Sequence, residues 1–297
     1  MSLRSILSGT GVAIVTPFKN DSSVDFNALE TVINYIINGG AEYIVTLGTT
    51  GETPTLSKQE KLDILDLTIT AINGRVPIVV GIGGNDTAAI VKDLESCPLD
   101  KVTAILSASP YYSKPSQEGL FQHYKALAQA SPKPILLYNV PGRTGRNLTA
   151  ATTIRLAYEV ENIGGIKEAH DDMNQCMQII RDRPADFLVV TGDDALSLPQ
   201  IACGFDGVIS VAGNAFPKEF SAMVRLCLKG DFEAARAIHY KLLTAYDMLF
   251  VENNPAGVKA FMYEIGLLKN ILRLPVTPVS SGLQQTIKEY VAGFTRV

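Results

Sequence analysis

The segment Ile163-Gly164-Gly165-Ile166-Lys167-Glu168-Ala169 is a short apolar run that ends in one lysine. Such a run is typical of a strand buried on both faces, as strands of parallel sheets are. A lysine at the end of this strand would hold its amine at the rim of an apolar interior. Burial disfavours the ammonium form, so the amine can be neutral and nucleophilic near neutral pH. The alternative is a lysine whose long side chain simply extends into solvent.

Apolar runs of the same kind recur along the chain, and each is followed by a stretch with helical periodicity. We expect further strands at residues 11–18, 43–47, 77–80, 102–106, 134–138, 187–190 and 207–210. Helix starts are marked by capping residues, and Ser57 with Glu60 forms a capping box. Together with the segment around Lys167, this alternation predicts an α/β protein with a parallel sheet.

The number of strand–helix repeats predicts that this sheet closes into a TIM (β/α)8 barrel. A doubly wound open sheet is the alternative, because alternation alone does not show closure. The turn after the first strand lacks the GxGxxG pattern of dinucleotide-binding sheets. The glycine-rich turn Gly81-Ile82-Gly83-Gly84 lacks the Lys-Ser/Thr of a P-loop, so we interpret it as a packing feature.

The strand pattern ends near Gly230, and three helical stretches follow it. They cover about residues 232–249, 255–267 and 281–292, and are separated by Asn253-Asn254-Pro255 and by the segment 274–278. We therefore expect residues 1–229 to form the barrel and residues 230–297 to form a C-terminal three-helix extension.

Composition restricts the kind of protein. Of the 297 residues, 46% are apolar and 19% are charged, so the chain can bury a large core. The net charge of −4 argues against nucleic acid as a partner, and no apolar run reaches membrane-spanning length. The cysteines and histidines show no metal-ligand spacing, so we expect no metal site. Residues 1–11 show no secretory signal pattern, and we expect a cytoplasmic protein.

In a barrel of this class, residues at the carboxyl ends of the strands share one mouth. The sequence places there Thr16, Thr49, Thr50, Tyr111, Tyr112, Tyr138, Arg143, Lys167, Gly192, Asp193, Ile209 and Ser210. This set contains one amine, several hydroxyls and one guanidinium, but no histidine pair and no carboxylate cluster. Metal-dependent enolate chemistry and two-carboxylate glycoside hydrolysis therefore lack their parts. An amine among hydroxyls suits Schiff-base chemistry on a carbonyl compound.

Structural alternatives exist for the neighbours of Lys167. Tyr138 can be a core tyrosine with its hydroxyl at the rim, and Thr49 and Thr50 can be ordinary turn residues. Arg143 can be a surface arginine, although its fork of donors also suits a carboxylate. The pair Asp193-Asp194 is best interpreted as a cap of the following helix.

Four ordered motifs carry a resemblance that covers nearly the whole chain. They are Gly48-Thr49-Thr50-Gly51-Glu52, Pro110-Tyr111-Tyr112, Tyr138-Asn139-Val140-Pro141 and Gly165-Ile166-Lys167-Glu168-Ala169. With them the chain resembles the dihydrodipicolinate synthase/N-acetylneuraminate lyase family of class I aldolase-like barrels. The two threonines and Arg143 resemble the branch that condenses pyruvate with L-aspartate 4-semialdehyde in diaminopimelate and lysine biosynthesis. The alternative within the family is an N-acetylneuraminate lyase or another 2-keto acid aldolase.

The resemblance implies a role for each residue of a proton-transfer chain. Lys167 would form a covalent imine with pyruvate, and no separate cofactor would be needed. Tyr138 would act as general acid and base, with its hydroxyl relayed through Thr49 to Tyr112. In the family this last tyrosine comes from the neighbouring subunit, which implies a homo-oligomer, usually a tetramer built as a dimer of dimers.

The resemblance also implies the substrate-binding residues. Thr50 would hold the pyruvate carboxylate, and Arg143 would bind the carboxylate of L-aspartate 4-semialdehyde. Gly192 and Ile209 would line the pocket. A third hypothesis, from another class, is a non-catalytic barrel that binds a keto acid as a sensor.

One departure from the family concerns feedback inhibition. Family members inhibited by L-lysine bind it with Asn85 and a carboxylate four residues later, where this chain has Ala89. The neighbouring helix carries Lys58 and Lys61. An ammonium ligand would lose a counter-charge and meet like charges there, so we expect lysine inhibition to be weak or absent.

Overall fold

The computed structural model describes residues 2–294. Met1 and residues 295–297, at the outer ends of the two predicted regions, lie outside the described residues. Within residues 2–294, eight parallel strands pair in chain order, and the first strand pairs with both the second and the eighth. The sheet is therefore a closed barrel. The prediction of a TIM (β/α)8 barrel is confirmed, and the open-sheet alternative is wrong.

The strands lie close to the predicted runs. They are β1 (Gly9–Ala13), β2 (Tyr43–Thr46), β3 (Ile78–Gly81), β4 (Ala104–Ala108), β5 (Ile135–Asn139), β6 (Ile163–Glu168), β7 (Leu188–Thr191) and β8 (Gly207–Ser210). The largest difference is at β1, which was expected to reach Phe18. It ends earlier because the backbone N–H of Val15 donates to the side chain of Asn214, and Pro17 has no N–H to donate.

Thirteen α-helices occur among the described residues. They are α1 (Leu3–Ile6), α2 (Phe26–Asn38), α3 (Lys58–Ile72), α4 (Thr87–Ser96), α5 (Gln117–Ala130), α6 (Pro141–Thr144), α7 (Ala150–Glu159), α8 (Met173–Asp182), α9 (Ser197–Ala202), α10 (Pro217–Leu228), α11 (Phe232–Phe250), α12 (Ala256–Glu264) and α13 (Ser281–Phe294). The Ser57/Glu60 capping box is present at α3. Helices α1 and α6 were not predicted, because a four-residue helix is too short to show periodicity.

The three helices α11–α13 form the predicted C-terminal extension. Their buried side chains, such as Phe261 and Ile287, belong to the same hydrophobic cluster as the outward-pointing residues of the strands. The extension therefore packs directly onto the barrel. The boundary between residues 229 and 230 stays a prediction. No helix within residues 2–294 is long and apolar enough to cross a membrane.

Two hydrophobic layers account for the apolar character of the strands. On β5, Leu136 and Tyr138 belong to the cluster inside the barrel, whereas Ile135 and Leu137 belong to the cluster between strands and helices. Alternate residues of a strand point to opposite faces, so both faces must be apolar. Gly81 supports the packing interpretation of its turn, because a Cβ atom there would lie 2.1 Å from the carbonyl oxygen of Leu47.

Candidate active site

A cavity of about 850 Å³ lies at the carboxyl ends of the strands. Of the eight residues to which the resemblance assigns a role, six line it: Thr49, Thr50, Tyr138, Arg143, Lys167 and Gly192. Ile209 instead lies fully buried in the barrel interior, and Tyr112 is 90% exposed on the loop after β4. The structure thus gathers most of the set at one site, from elements spread over the whole barrel.

The register of β5 and β6 places Tyr138 directly opposite Lys167. Both side chains point inward, and the Lys167 Nζ lies 4.3 Å from the centre of the Tyr138 ring. Lys167 is only 4% exposed, so its side chain does not extend into solvent as the structural alternative required. Within the described residues its amine makes no hydrogen bond or ion pair, which leaves the nitrogen accessible to a carbonyl compound in the cavity.

The next residue on each strand points outward and ties the two strands together. The Glu168 carboxylate accepts hydrogen bonds from Asn139 Nδ2 at 2.8 Å, Gln175 Nε2 at 3.1 Å and the His170 backbone N–H at 2.9 Å. Despite these donors, burial raises the pKa of Glu168 to about 7. Polar contacts on the outer face of the two strands therefore stabilise the register that pairs Tyr138 with Lys167.

Gly192, at the end of β7, leaves the space that the lysine side chain occupies. A Cβ atom at this position would lie 2.7 Å from Cε of Lys167. Any side chain here would displace the lysine. The adjacent Asp193 accepts hydrogen bonds from the backbone N–H groups of Ala195 and Leu196, in the turn before α9. Asp194 accepts from the backbone of Val211 and Ala212 instead. The prediction that this pair caps α9 is wrong, because the helix begins after Leu196 and has no side-chain cap.

The turn after β2 contains Thr49 and Thr50 in a short 3₁₀ segment and is held by the C-terminal extension. Glu52, in a left-handed conformation with φ 54°, accepts from Lys259 Nζ at 2.5 Å and from the Arg273 backbone N–H at 3.0 Å. Lys259 is completely buried, and this burial lowers its pKa to about 8 although Glu52 opposes the shift. A buried ion pair therefore fixes the turn beside the cavity.

Asn254 also lines the cavity and was not predicted as a site residue. Its Nδ2 donates to Thr50 Oγ1 at 3.1 Å, and its backbone carbonyl accepts from Arg143 Nη2 at 3.3 Å. The sequence marked Asn253-Asn254-Pro255 only as a break between helices. No local pattern shows that this break lies beside a turn two hundred residues earlier.

The hydrogen bonds of the predicted proton relay are not all present within residues 2–294. Among the described residues, no hydrogen bond joins the Tyr138 hydroxyl to Thr49, and Tyr112 lies outside the cavity. Tyr112 has a left-handed backbone with φ 72°. A bulky residue in this region costs on the order of 1–3 kcal/mol, and such strain is often found at functional sites.

The prediction of weak inhibition by L-lysine concerns Lys58 and Lys61 on α3, Ala89 on α4, and Asn85 in the segment before α4. Lys58 and Lys61 line a separate cavity of about 160 Å³ together with Thr53 and Asp93. Ala89 is exposed on α4. The weak-inhibition prediction is not tested by this geometry and stays a prediction.

A closed barrel with one lysine and one tyrosine side by side at its mouth has the architecture of the aldolase-like (β/α)8 barrels. The sequence pattern of the dihydrodipicolinate synthetase family matches residues 6–293, and the chain belongs to that family. The 4-hydroxy-tetrahydrodipicolinate synthase of Parabacteroides distasonis is 50% identical over 283 residues, which are 95% of either chain.

Solved structures of the family agree with this assignment. A crystal structure of a dihydrodipicolinate synthase superposes with a TM-score of 0.93 at 41% identity, covering 98% of this chain and 100% of that one. The chloride-inhibited dihydrodipicolinate synthase of Acinetobacter baumannii, complexed with pyruvate, has a TM-score of 0.94 at 37% identity with the same coverage. These relatives favour the synthase branch over the N-acetylneuraminate lyase branch.

Proposed function

We propose that this protein condenses pyruvate with L-aspartate 4-semialdehyde through a Schiff base at Lys167. The observation that carries the proposal is the buried Lys167 amine, which lies at the cavity beside Tyr138 and has no ion-pair partner among residues 2–294. An amine held in this way can attack a carbonyl carbon. The relatives named as synthases, and the family structure that contains pyruvate, support pyruvate as this carbonyl compound.

The chemistry requires several proton transfers at one place. Lys167 Nζ attacks the keto carbon of pyruvate, and loss of one water molecule gives the imine. The imine withdraws electrons, so the methyl carbon loses a proton and becomes the nucleophile that attacks the aldehyde carbon. Attack of the second substrate's amine on the imine carbon then closes a ring and releases Lys167. Tyr138, next to the lysine, serves as the general acid and base for these transfers.

Two carboxylates have to be bound for this reaction, and two residues at the cavity suit them. The Thr50 hydroxyl binds the carboxylate of pyruvate, close to the lysine. The Arg143 guanidinium binds the carboxylate of L-aspartate 4-semialdehyde through charge-assisted hydrogen bonds. Gly192 provides the space for the lysine, and Ile209 is part of the apolar packing inside the barrel. No cofactor enters this scheme.

The exposed Tyr112 supports an oligomeric enzyme. We propose a homotetramer, a dimer of dimers, in which Tyr112 of one subunit completes the relay of its neighbour through Thr49. Burial of a 90% exposed aromatic side chain at a subunit interface would also stabilise the assembly. We further propose that the enzyme acts in the cytoplasm.

Borohydride reduction in the presence of pyruvate tests the covalent step. We expect one stable adduct per chain, and peptide mass spectrometry should locate it on Lys167. Lys259 is the internal control, because it is also buried but its amine is paired with Glu52. The Lys167→Ala variant should form no adduct while keeping its circular dichroism spectrum. An adduct elsewhere, or near-normal turnover of Lys167→Ala, would refute the proposal.

A second assay separates the substrates. Purified enzyme with pyruvate is given L-aspartate 4-semialdehyde, and in parallel enzyme alone is given N-acetylneuraminate. We expect turnover only in the first reaction. Cleavage of N-acetylneuraminate at a comparable kcat/KM would assign the protein to the other branch.

A further inference from the structure

Asn254 lies between two residues of the candidate site although it belongs to the C-terminal extension. It is 4% exposed and follows α11. Its side-chain amide donates to Thr50 Oγ1 at 3.1 Å, and its main-chain oxygen accepts from Arg143 Nη2 at 3.3 Å. The side chain and the main chain of one residue thus contact separate members of the site.

The direction of the first hydrogen bond determines where the Thr50 hydroxyl proton points. An amide NH₂ group can only donate, so Thr50 Oγ1 is the acceptor in this contact. The hydroxyl has one proton, and among the described residues it is not donated to any other group. Thr50 itself lines the cavity. The Thr50 O–H is therefore free for an acceptor in the cavity, at the end of the barrel where Lys167 lies.

We propose that Asn254 is a positioning residue that orients the Thr50 hydroxyl as a donor to the carboxylate of the keto acid. The inference rests on the proposed function and deepens it, because it concerns how the site selects a keto acid over a neutral ketone or ester. The Asn254 Oδ1, which is buried without a partner among residues 2–294, takes no part in the Thr50 contact. The amide nitrogen is thus the end of the side chain that acts.

Two substitutions distinguish this role from simple packing. Asn254→Ala removes the donor and should raise the half-saturating pyruvate concentration by about fivefold, with kcat within about twofold. Asn254→Asp keeps the shape of the side chain but replaces the donor by an acceptor. The carboxylate would accept the hydrogen bond of the Thr50 hydroxyl and would add a negative charge. We expect the half-saturating pyruvate concentration to rise about fiftyfold, because hydrogen bonds to charged groups are among the stronger ones. A packing role predicts the opposite order, with the isosteric variant less affected.

The second substrate and a carboxylate-free ketone provide internal comparisons. The Arg143 contact uses the main chain of Asn254, so Asn254→Ala should leave the KM for L-aspartate 4-semialdehyde within about twofold. Borohydride trapping with methyl pyruvate, an ester without the carboxylate, should be nearly unchanged in both variants. In a Thr50→Val background, Asn254→Ala should have little further effect, because the oriented hydroxyl is already absent.

Asn270→Asp is the matched control. Asn270 also belongs to the extension and donates from Nδ2 to another side chain, that of Gln284, away from the cavity. The half-saturating pyruvate concentration of Asn270→Asp should equal that of the unmodified enzyme. Thermal unfolding of each variant verifies folding, and Asn254→Ala carries the test if Asn254→Asp fails to fold.

The outcomes also separate this inference from the proposed function. If unmodified enzyme forms no pyruvate adduct, the proposed function fails. If it forms the adduct but Asn254→Ala and Asn254→Asp saturate like Asn270→Asp, or Asn254→Asp saturates better than Asn254→Ala, the orienting role of Asn254 is refuted.

Discussion

At the scale of residues, the site depends on the alternation of side chains along two neighbouring strands. Lys167 and Tyr138 point into the barrel, whereas Glu168 and Asn139 point away from it and join β6 to β5. A shift of the register by one residue would exchange these two pairs. The outward pair therefore stabilises the arrangement on which the inward pair depends.

The raised pKa of Glu168 predicts a dependence of stability on pH. The ordinary value is 4.5 and the folded value is about 7, so the folded protein binds more protons between them. The contribution of this carboxyl is fully present below about pH 4.5 and is lost as the pH rises through 7. Glu168→Gln removes this pH dependence. Its size in the free energy of unfolding is on the order of 3 kcal/mol, at about 1.4 kcal/mol per pKa unit.

Urea unfolding of the two proteins at a series of pH values measures this effect. The free energy of unfolding of the unmodified protein should fall relative to that of Glu168→Gln as the pH rises from about 5 to about 8. Parallel pH profiles would show that the folded carboxyl titrates normally.

At the scale of elements, the C-terminal extension acts as a support for the turn after β2. Lys259 from α12 and the backbone of Arg273 both bind Glu52, and the Lys259 amine also donates to the carbonyl of Ile271. The ring of Phe18 lies 4.2 Å from Lys259 Nζ. An extension outside the barrel thereby determines the position of Thr49 and Thr50.

A double-mutant cycle on Glu52 and Lys259 tests this support. Lys259→Met leaves a buried carboxylate without its counter-charge and should lower the free energy of unfolding by about 3–5 kcal/mol. Glu52→Gln should cost a similar amount, and the double variant should cost clearly less than the sum. Urea unfolding gives all three values.

The exposed pair Arg181–Asp182 is the control for this cycle. Arg181→Ala should change the free energy of unfolding by less than about 1 kcal/mol, as is usual for surface ion pairs. Single substitutions at Glu52 and Lys259 that cost no more than this control would show that the buried pair does not support the turn.

At the scale of the whole molecule, one chain leaves the predicted relay incomplete. Tyr112 is exposed and strained, whereas Lys167 and Tyr138 are buried at the cavity. A strained, exposed aromatic residue on the loop after β4 is well placed to be buried by a second subunit. The proposed oligomer would complete the hydrogen-bonded relay from Tyr138 through Thr49 to Tyr112, and would also bury the loop that carries Tyr112.

Mixed oligomers test whether Tyr112 acts between subunits. Lys167→Ala and Tyr112→Phe should each be nearly inactive alone, the latter because general acid–base groups contribute about 10²–10⁴ in rate. When the two chains are co-expressed in equal amounts, about half of the dimers should be hybrids. Each hybrid has one intact site out of two in an isologous pair, so activity should recover to about a quarter of that of the unmodified enzyme. No recovery in isolated hybrids would place Tyr112 in its own subunit's site.

A further prediction concerns feedback inhibition by L-lysine. With Ala89 in place of a carboxylate and with Lys58 and Lys61 nearby, micromolar L-lysine should not inhibit the purified enzyme. Ala89→Glu combined with neutral residues at 58 and 61 should increase lysine sensitivity. Micromolar inhibition of the unmodified enzyme would contradict the prediction.

The elements were predictable to different degrees, for physical reasons. Buried parallel strands are apolar on both faces, so all eight appeared as runs with nearly correct positions. The end of β1 was not predictable, because it depends on Asn214, a side chain about two hundred residues away. Helices α1 and α6 are too short to have a periodic pattern. Asn254 could not be recognised because its partner Thr50 lies 204 residues away in the chain.

From the sequence alone, the number and order of the strands, several residues that line the cavity and the family could be predicted. These follow from local patterns and from motifs made of a few consecutive residues. Only the tertiary structure decided that the sheet closes, that Tyr138 lies opposite Lys167, and that Asn254 and Lys259 hold the turn that carries Thr49 and Thr50. Such contacts depend on strand register and on packing between distant segments, which no local run of residues records.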